Sequence, residues 1–164
     1  MRKLTKEELV KTFHLTEHPE GGAFAESHRA PLKIIASGFP GPRNASTAIY
    51  FLLADGDFSA FHRIRSDEVW HFYLGDPLRV VEIDENGEIE ATLLGHDIFS
   101  GQQLQHTVKA GRWFASIPAP GSELCFVGCT VAPGFDFADF EMATRDDLIH
   151  AYPKHAELIR SLTR

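Results

Sequence analysis

Residues 56–75 read GDFSAFHRIRSDEVWHFYLG, with a glycine at each end. β-Branched and aromatic residues on both sides of a short polar run predict a strand over about 57–65, a turn, and a second strand over about 69–74. His62 lies in the first strand, and Glu68 follows it six residues later, across the turn. Ile64 shares the face of His62, because residues i and i+2 of a strand point the same way. The segment thus places an imidazole and an apolar side chain on one face of the first strand, with a carboxylate following across the turn.

Further short strands are expected on both sides of this segment. Their positions are about 24–28, 47–53, 78–84, 88–95, 105–109, 113–117 and 123–131, with a surface loop over 39–46. Asn86-Gly87 is the strongest hairpin signal, since both residues tolerate the positive φ angles of a tight turn. Many short strands at regular spacing, with no helices between them, indicate a β-sandwich or barrel.

Helices are expected only near the two ends of the chain. Thr5 and Glu8 have the spacing of a capping box, which predicts a short helix ending near Phe13. Thr144 with Asp147 indicates a cap and a second helix to about residue 150, and residues 154–162 are expected to form a third. The fold class is therefore all-β, with short N- and C-terminal helices.

The size and charge of the chain limit its partners. Its 164 residues fit a single domain over 1–164. The net charge is -7 and no run of basic residues is present, which argues against nucleic acid or an anionic membrane as a partner. The N-terminal segment is charged, and no stretch approaches the roughly 20 apolar residues of a membrane span, so a cytoplasmic location is expected.

The two cysteines are expected to fill the core. Cys125 and Cys129 fall in one predicted strand, four residues apart, which separates their Cα atoms by roughly 13 Å. That distance is too long for a disulfide. Two cysteines alone also cannot complete a zinc site, which takes four ligands.

Four ordered blocks of this sequence resemble the cupin superfamily, and in particular the cupin-5 group. They are HPEGG at 18–22, FHR at 61–63, SDEVWHFY at 66–73 with GDPL at 75–78, and APGFDFADFE at 132–141. The resemblance implies a double-stranded β-helix, or jelly-roll barrel, with a small-molecule pocket inside one end. It also implies a homodimer. Members of the group mostly have no assigned reaction, so the resemblance specifies the fold far better than the function.

The same resemblance bears on metal binding. Metal-binding cupins use two alternate histidines and a glutamate from the first motif, and a further histidine from the second motif. In this chain Ile64 and Phe114 stand at two of those four positions, and neither side chain can ligate a metal. His71 or His106 would compensate only if the strand register turned one of them inward. We therefore expect no protein-bound metal and no other cofactor.

His62 and Glu68 are the leading candidates for chemistry. A histidine beside a carboxylate can act as a general acid or base, since its pKa starts near ~6.5 and its neighbour tunes it. Related sugar-nucleotide epimerases use a pocket histidine without a metal, together with a tyrosine acid. That resemblance assigns the acid to Tyr73 or Tyr50, and the supporting carboxylate to Glu68 or Glu82.

Other residues are candidates for contact with a ligand. The run Trp70-His71-Phe72-Tyr73 places alternate rings on opposite faces of its strand, so that one pair is expected to line the pocket. Phe114 adds to an aromatic wall, and Glu20 in the HPEGG turn either closes one end of the barrel or covers the pocket. The candidate ligand-binding set is His62, Glu68, Trp70, His71, Phe72, Tyr73, Phe114 and Glu20.

Two functions from different classes fit this pattern. The first is an enzyme that binds a small carbohydrate-like or nucleotide-like metabolite and moves a proton with His62, Glu68 and Tyr73, as an isomerase, epimerase or lyase. The second is a non-catalytic cupin that binds or senses such a metabolite. A metal-dependent cupin oxygenase is the weakest alternative, because of Ile64 and Phe114. Fold alone does not choose among them.

Overall fold

A computed structural model describes residues 4–164. The first three residues, part of the charged N-terminal segment noted above, lie outside the described residues. Helix α1 (Lys6–Phe13) precedes the strands, and α2 (Arg145–Ala151) and α3 (Ala156–Ser161) follow them. The strands are β1 (Thr16–Glu17), β2 (Ala23–Arg29), β3 (Lys33–Ile34), β4 (Arg43–Asn44), β5 (Thr47–Ala54), β6 (Ser59–Arg63), β7 (Asp67–Gly75), β8 (Leu78–Ile83), β9 (Ile89–Leu94), β10 (Gln105–Val108), β11 (Trp113–Pro118), β12 (Leu124–Ala132) and β13 (Glu141–Met142).

Two antiparallel sheets form the body of the protein. One sheet has the order β1-β2-β5-β12-β7-β10 and the other the order β13-β6-β11-β8-β9, while β3 and β4 pair separately. The space between the sheets is filled by apolar side chains from both, including Phe51, Trp70 and Val127 from the first and Val80 and Phe114 from the second. This architecture confirms the expected jelly-roll barrel with short terminal helices.

The terminal helices cover the outer faces of the two sheets. Leu9 of α1 packs against Leu52 and Phe126 on the outside of the six-stranded sheet. Ile159 of α3 belongs to a second cluster, with Phe61 on the outside of the five-stranded sheet. The strand residues of these two clusters face outwards. Their neighbours along each strand, such as Phe51 and Leu53 beside Leu52, face into the barrel, because side chains alternate between the two faces of a strand. Among residues 4–164, no helix is long and apolar enough to span a bilayer.

The helix and loop expectations are met in part. The capping box is confirmed, since the Glu8 N–H donates to Thr5 Oγ1 and the Thr5 N–H to the Glu8 carboxylate, both at 3.2 Å. Thr144 is the N-cap residue of α2, as expected, but its side chain makes no capping hydrogen bond. The loop over 39–46 contains β4, which the Asn44 side chain fastens by donating to the Ala30 carbonyl at 2.6 Å.

Both cysteines lie on β12, and neither forms a disulfide. Cys125 pairs in register with Leu53, and Cys129 pairs with Ile49 four positions further along the same strand. Each is almost fully buried, as expected of core residues. Cys129 also forms part of the wall of a cavity, which the sequence does not reveal.

Candidate functional site

A cavity of about 320 Å³ lies at one end of the barrel. Its walls come from β2, β5, β6, β7 and β12, from the turn at residues 18–22, and from the segment that follows β12. Apolar side chains line much of it, and polar side chains form two groups. The inner group is His18, Glu20, His62 and Glu68, and the group towards the more exposed rim is Glu26, Arg29 and Asp136.

The turn at 18–22 brings two of the inner residues to the cavity. Its backbone closes through a hydrogen bond from the His18 N–H to the Gly22 carbonyl at 3.0 Å. It is fastened to β6 by the Ala60 N–H, which donates to the Glu20 carbonyl at 2.8 Å. Gly21 has a φ of 114°, and a Cβ there would lie 2.1 Å from the Phe58 carbonyl oxygen. Only glycine permits both this backbone angle and this close approach.

His62 is held on both sides of its ring. Nδ1 lies 2.7 Å from the Ala60 carbonyl oxygen, and since a carbonyl only accepts, Nδ1 carries a proton and donates it. Nε2 lies 3.0 Å from Glu20 Oε2, and both side chains are less than one-tenth exposed. The Phe114 ring covers the imidazole, with 4.1 Å between ring centroids. His62 therefore has no free nitrogen to offer a ligand.

One proton is shared between His62 Nε2 and Glu20 Oε2. Burial lowers the pKa of His62 and outweighs the nearby Glu68, which raises it. Burial likewise raises the pKa of Glu20, against the opposing effect of His18. Both shifts favour the uncharged forms, so Glu20 holds the proton and donates it to Nε2. The pair is then neutral overall, which suits an interior that penalises charge.

Glu68 is the carboxyl of the cavity whose pKa lies near neutrality. Burial raises the pKa of its carboxyl to about 7, with a smaller lowering by His62 and a raising by Glu20. The Cys129 thiol is its hydrogen-bond partner among the described side chains, and a thiol is a weak donor. Glu68 is only 8% exposed, yet its side chain forms part of the cavity wall. A buried carboxyl with a pKa near neutrality is suited to both giving and taking a proton.

His18 supplies a hydrogen-bond donor to the cavity. Its Nδ1 accepts the Glu20 backbone N–H at 3.3 Å and lies 3.6 Å from Glu20 Oε2. Burial lowers the pKa of His18, which keeps the ring neutral and places its remaining proton on Nε2. The edge of this ring meets Phe24 at a centroid distance of 4.5 Å.

An aromatic segment covers the cavity. Phe135, Phe137 and Phe140 contact one another, and Phe137 is stacked 6.5 Å from the His18 ring while remaining 55% exposed. The Phe135 N–H donates to Thr47 Oγ1 at 2.9 Å, which fastens one end of the segment to β5. The other end is held by Asp139, whose carboxylate accepts two hydrogen bonds from the Arg43 guanidinium at 2.6 and 2.9 Å.

Three residues proposed from the sequence come together in the cavity, namely Glu20, His62 and Glu68. Trp70 and Phe114 belong instead to the packed core, where their rings meet edge to face at 6.3 Å. Phe72 is in the same core cluster. These aromatic residues support the site from behind and do not line the cavity.

His71 and Tyr73 lie on the opposite face of β7. His71 Nε2 contacts Thr130 Oγ1 at 2.9 Å, and Tyr73 is 48% exposed. The alternation of the strand explains this placement, because Glu68, Trp70 and Phe72 share the inward parity. Tyr73 is therefore not within reach of a ligand in the cavity, and Tyr50 packs with it and with Phe126 outside the barrel.

Glu82 and His106 form a separate polar pair. The two side chains are in hydrogen-bond contact, and Arg112 Nη1 lies 3.5 Å from the other Glu82 oxygen. None of the three residues lines the cavity. His106 therefore does not take the place of a missing ligand near His62.

The donor set at the cavity does not fit a metal centre. Ile64 lines the cavity at the position of a missing histidine, and Phe114 is fully buried in the core. Both nitrogens of His62 are already engaged by Ala60 and Glu20. Within residues 4–164, no group of three or more His, Cys, Asp or Glu side chains has an arrangement that could hold a metal ion.

Four residues with charged or imidazole side chains line the cavity without being predicted as site residues by the sequence. The HPEGG block predicts no more than a turn for His18, and Asp136 belongs to a segment whose pattern is only acidic and aromatic. Glu26 and Arg29 lie on β2, where the sequence carries no motif. The HPEGG block does carry one signal, because paired glycines next to a histidine and a glutamate indicate a close approach of the backbone.

Comparison with known proteins identifies the family. The family model Cupin_5, described as Cupin superfamily (DUF985), matches residues 7–143. A hypothetical protein from Leishmania major is 34% identical, with a TM-score of 0.91 over 98% of this chain and 99% of that one. Protein SO0799 from Shewanella oneidensis is also 34% identical, with a TM-score of 0.89 over 99% of both chains.

A curated relative is similar at lower identity. The uncharacterized protein YML079W of Saccharomyces cerevisiae is 29% identical over 154 residues, which cover 86% of this chain and 76% of that protein. The matched family region contains the turn at 18–22, the pair His62 and Glu68, and the aromatic cover over the cavity. The chain belongs to the cupin superfamily, within the Cupin_5 family.

Proposed function

We propose that this protein binds a small polar metabolite in the cavity and moves a proton on it, as an isomerase, epimerase or lyase. The observation that carries the proposal is Glu68, whose carboxyl has a pKa of about 7 and forms part of the cavity wall. A cavity of about 320 Å³ is within the size range of small-ligand sites, roughly 300–1,000 Å³.

We assign the proton transfer to Glu68 rather than to His62, and the hydrogen bonds of His62 support this choice. As a carboxylate, Glu68 takes a proton from an acidic C–H bond of the ligand and becomes a carboxylic acid. It then returns that proton to the ligand at the carbon or oxygen where charge has developed. His62 acts as a positioning residue, because its two nitrogens hold Ala60 and Glu20.

The neighbours of Glu68 support this role. The Nε2–H of His18 is available to donate a hydrogen bond to a ligand oxygen, which stabilises negative charge that develops during proton removal. The Glu20 carboxyl, protonated through its pairing with His62, keeps a second negative charge away from Glu68. The ligand is carbohydrate-like rather than a phosphate-bearing nucleotide, since no unpaired cation lines the described part of the cavity.

A second candidate function is non-catalytic binding of the same kind of ligand. It is favoured by one observation, which is that Tyr73 lies outside the cavity and leaves no phenol to act as a partner acid. A binding protein needs only the shape and hydrogen bonds of the site, whereas an enzyme needs Glu68 to change its protonation state.

Replacement of Glu68 by glutamine tests the proposal. We expect Glu68→Gln to lower turnover of a substrate found by metabolite screening by about 10²- to 10⁴-fold, the usual contribution of general acid–base catalysis. The fold is expected to persist, because glutamine has the same shape. Mass-spectrometric detection of product measures turnover, with exposed Glu157→Gln as the control. Unchanged turnover in Glu68→Gln would contradict the assignment, and ligand binding without any turnover by wild type would favour the second candidate.

We further propose a homodimer, as the resemblance to cupins implies. Native mass spectrometry of gently purified protein tests it and reports any co-purified ligand in the same spectrum. We expect a species of twice the chain mass, and a lone species at 18.3 kDa would contradict the dimer.

A further inference from the structure

The charges around the cavity are strongly unequal. Its described lining contains four carboxyl groups, from Glu20, Glu26, Glu68 and Asp136, and one guanidinium, from Arg29. No lysine is among these described lining residues. Proton sharing with His62 removes the charge of Glu20, but the remaining carboxylates still outnumber the single cation.

The charge of Arg29 is already paired within the protein. Its Nε and Nη2 donate to the Glu26 carboxylate, the shortest of these contacts being 2.7 Å. Its Nη1 donates to Asn44 Oδ1 at 3.0 Å and to the Phe135 carbonyl at 3.2 Å. Every nitrogen of the guanidinium therefore already donates to a protein oxygen. Through Phe135, the side chain also connects the aromatic segment over the cavity to β2.

Glu68 lacks the compensation that a buried carboxylate requires. It is more than nine-tenths buried, faces the cavity, and has the Cys129 thiol as its hydrogen-bond partner among the described side chains. A buried charge is costly unless it is paired or hydrogen-bonded. A positively charged group in the cavity would supply the missing partner, whereas an anionic group would add to the cost.

The apolar walls are also suited to an organic cation. Phe24, Phe135 and Phe137 line the cavity, with Phe137 stacked against His18. Aromatic faces attract cations that lie over the ring. Aromatic walls combined with an unpaired carboxylate are thus complementary to an ammonium group carried on a compact organic body.

We propose that the ligand of this cavity is a small organic amine, bound as a cation with its ammonium group against the Glu68 carboxylate and its body against Phe24, Phe135 and Phe137. The inference rests on the proposed function, since it names the chemical class of the molecule on which Glu68 acts. It narrows the expected carbohydrate-like ligands to amine-bearing ones.

The binding of such a cation is linked to proton release. The titratable groups around Glu68 in the inner cavity are His62 from β6, Cys129 from β12, and His18 and Glu20 from the turn, while Glu26, Arg29 and Asp136 stand nearer the rim. A cation favours the ionised form of Glu68, so affinity rises as the pH passes through the pKa of about 7. Between pH 6 and pH 8 the ionised fraction grows by roughly tenfold, and the affinity for an amine that stays protonated is expected to follow.

Three probes of similar size and different charge test the inference. They are benzylamine, benzyl alcohol and benzoate, titrated into the full chain with detection by amide and aromatic NMR shifts of cavity residues. At pH 8 we expect benzylamine to bind at least about tenfold more tightly than benzyl alcohol, and benzoate to be the weakest. Benzylamine affinity is expected to fall roughly tenfold at pH 6, whereas that of benzyl alcohol stays constant.

The Glu68→Gln variant separates the effect of the Glu68 charge on probe binding from the effect of the shape of its side chain. Glu68→Gln keeps the size of the side chain, so we expect it to abolish both the preference for benzylamine and its pH dependence. Exposed Glu157→Gln is the control and is expected to leave both unchanged. Equal binding of benzylamine and benzyl alcohol, or a preference that survives Glu68→Gln, would overturn the inference.

The outcomes also separate this inference from the proposed function. Binding of benzyl alcohol or benzoate in the cavity with no preference for the amine would reject the amine class and leave the small-molecule site in place. Shifts of cavity residues with none of the three probes would count against both. Loss of turnover in Glu68→Gln with no preference for amines would support the proton transfer and reject the cationic ligand.

Discussion

The Glu68→Gln variant is expected to be more stable than the wild type above pH 7, by about 3 kcal/mol. The reason is that burial raises the pKa of Glu68 from 4.5 to about 7, and a tenfold change in a proton-binding constant corresponds to about 1.4 kcal/mol. A glutamine of the same shape never ionises, and so it avoids the cost of a buried negative charge. The variant would thus gain stability while losing the group to which we assign proton transfer.

The pH dependence has a definite sign. Between pH 4.5 and 7 the unfolded chain has released the Glu68 proton while the folded protein still holds it. The contribution of Glu68 to the free energy of unfolding is therefore fully present below pH 4.5, falls as the pH rises, and is lost above pH 7. Glu68→Gln removes this slope, so the difference between the two proteins grows over that interval and is then constant.

Urea denaturation at about pH 4.5, 6 and 8 measures this difference. Glu157→Gln serves as the control, because Glu157 is exposed at the surface of α3 and lies outside the cavity lining. If the free energies of unfolding of wild type and Glu68→Gln run parallel over this pH range, the raised pKa of Glu68 is wrong. The presence of a carboxyl that destabilises the protein supports a functional role for it, since residues of active sites commonly lower stability.

Gly21→Ala is expected to destabilise the protein by about 2–6 kcal/mol. Strain at a positive φ costs about 1–3 kcal/mol, and forcing an extra methyl into a packed site costs about 1–3 kcal/mol more. The added Cβ would lie 2.1 Å from the Phe58 carbonyl oxygen, and backbone cannot move aside as a flexible side chain can. Thermal or urea unfolding gives the magnitude.

A second glycine separates the two contributions. Gly121 has a φ of 84°, but a Cβ added there would have no other atom within 4 Å, so Gly121→Ala incurs the backbone strain alone. We expect Gly121→Ala to cost about 1–2 kcal/mol. Equal losses for the two variants would show that the contact with Phe58 contributes nothing.

Gly21→Ala also tests how the site is assembled. The turn carries Glu20 to His62 and is fastened to β6 through Ala60. A displaced turn would separate Glu20 from His62 Nε2, which leaves the imidazole without its partner. We expect the NMR signals of His62 to shift in Gly21→Ala and to stay in place in Gly121→Ala.

Strand alternation explains which features of the site are predictable. Glu68 follows His62 across a turn, and the periodicity of β6 and β7 shows which residues share a face with each of them. The same rule places Ile64 on the face of His62, so one of the missing metal-binding donors is visible from residues close together in the sequence. The alternation of Trp70, His71, Phe72 and Tyr73 is equally visible, but it does not reveal which of the two pairs faces inward.

Contacts between distant segments explain what could not be predicted. Glu20 and His62 are far apart in the chain, and their 3.0 Å contact depends on how the turn closes over β6. Arg29 has no distinguishing sequence context, and only the folded position of β2 brings it to Phe135. No local pattern encodes such approaches, because they are set by the packing of the whole barrel.

The sequence and the tertiary structure therefore determine different features of this protein. The amino-acid sequence by itself determined the jelly-roll barrel, the family resemblance and, through that resemblance, the expectation that His62 and Glu68 face inward. Only the tertiary structure decided that both nitrogens of His62 are engaged, that Tyr73 points away, and that the pKa of Glu68 is raised to about 7. The physical reason is that alternation along a strand is local, whereas burial, and with it the pKa of a carboxyl, depends on every segment that excludes water from it.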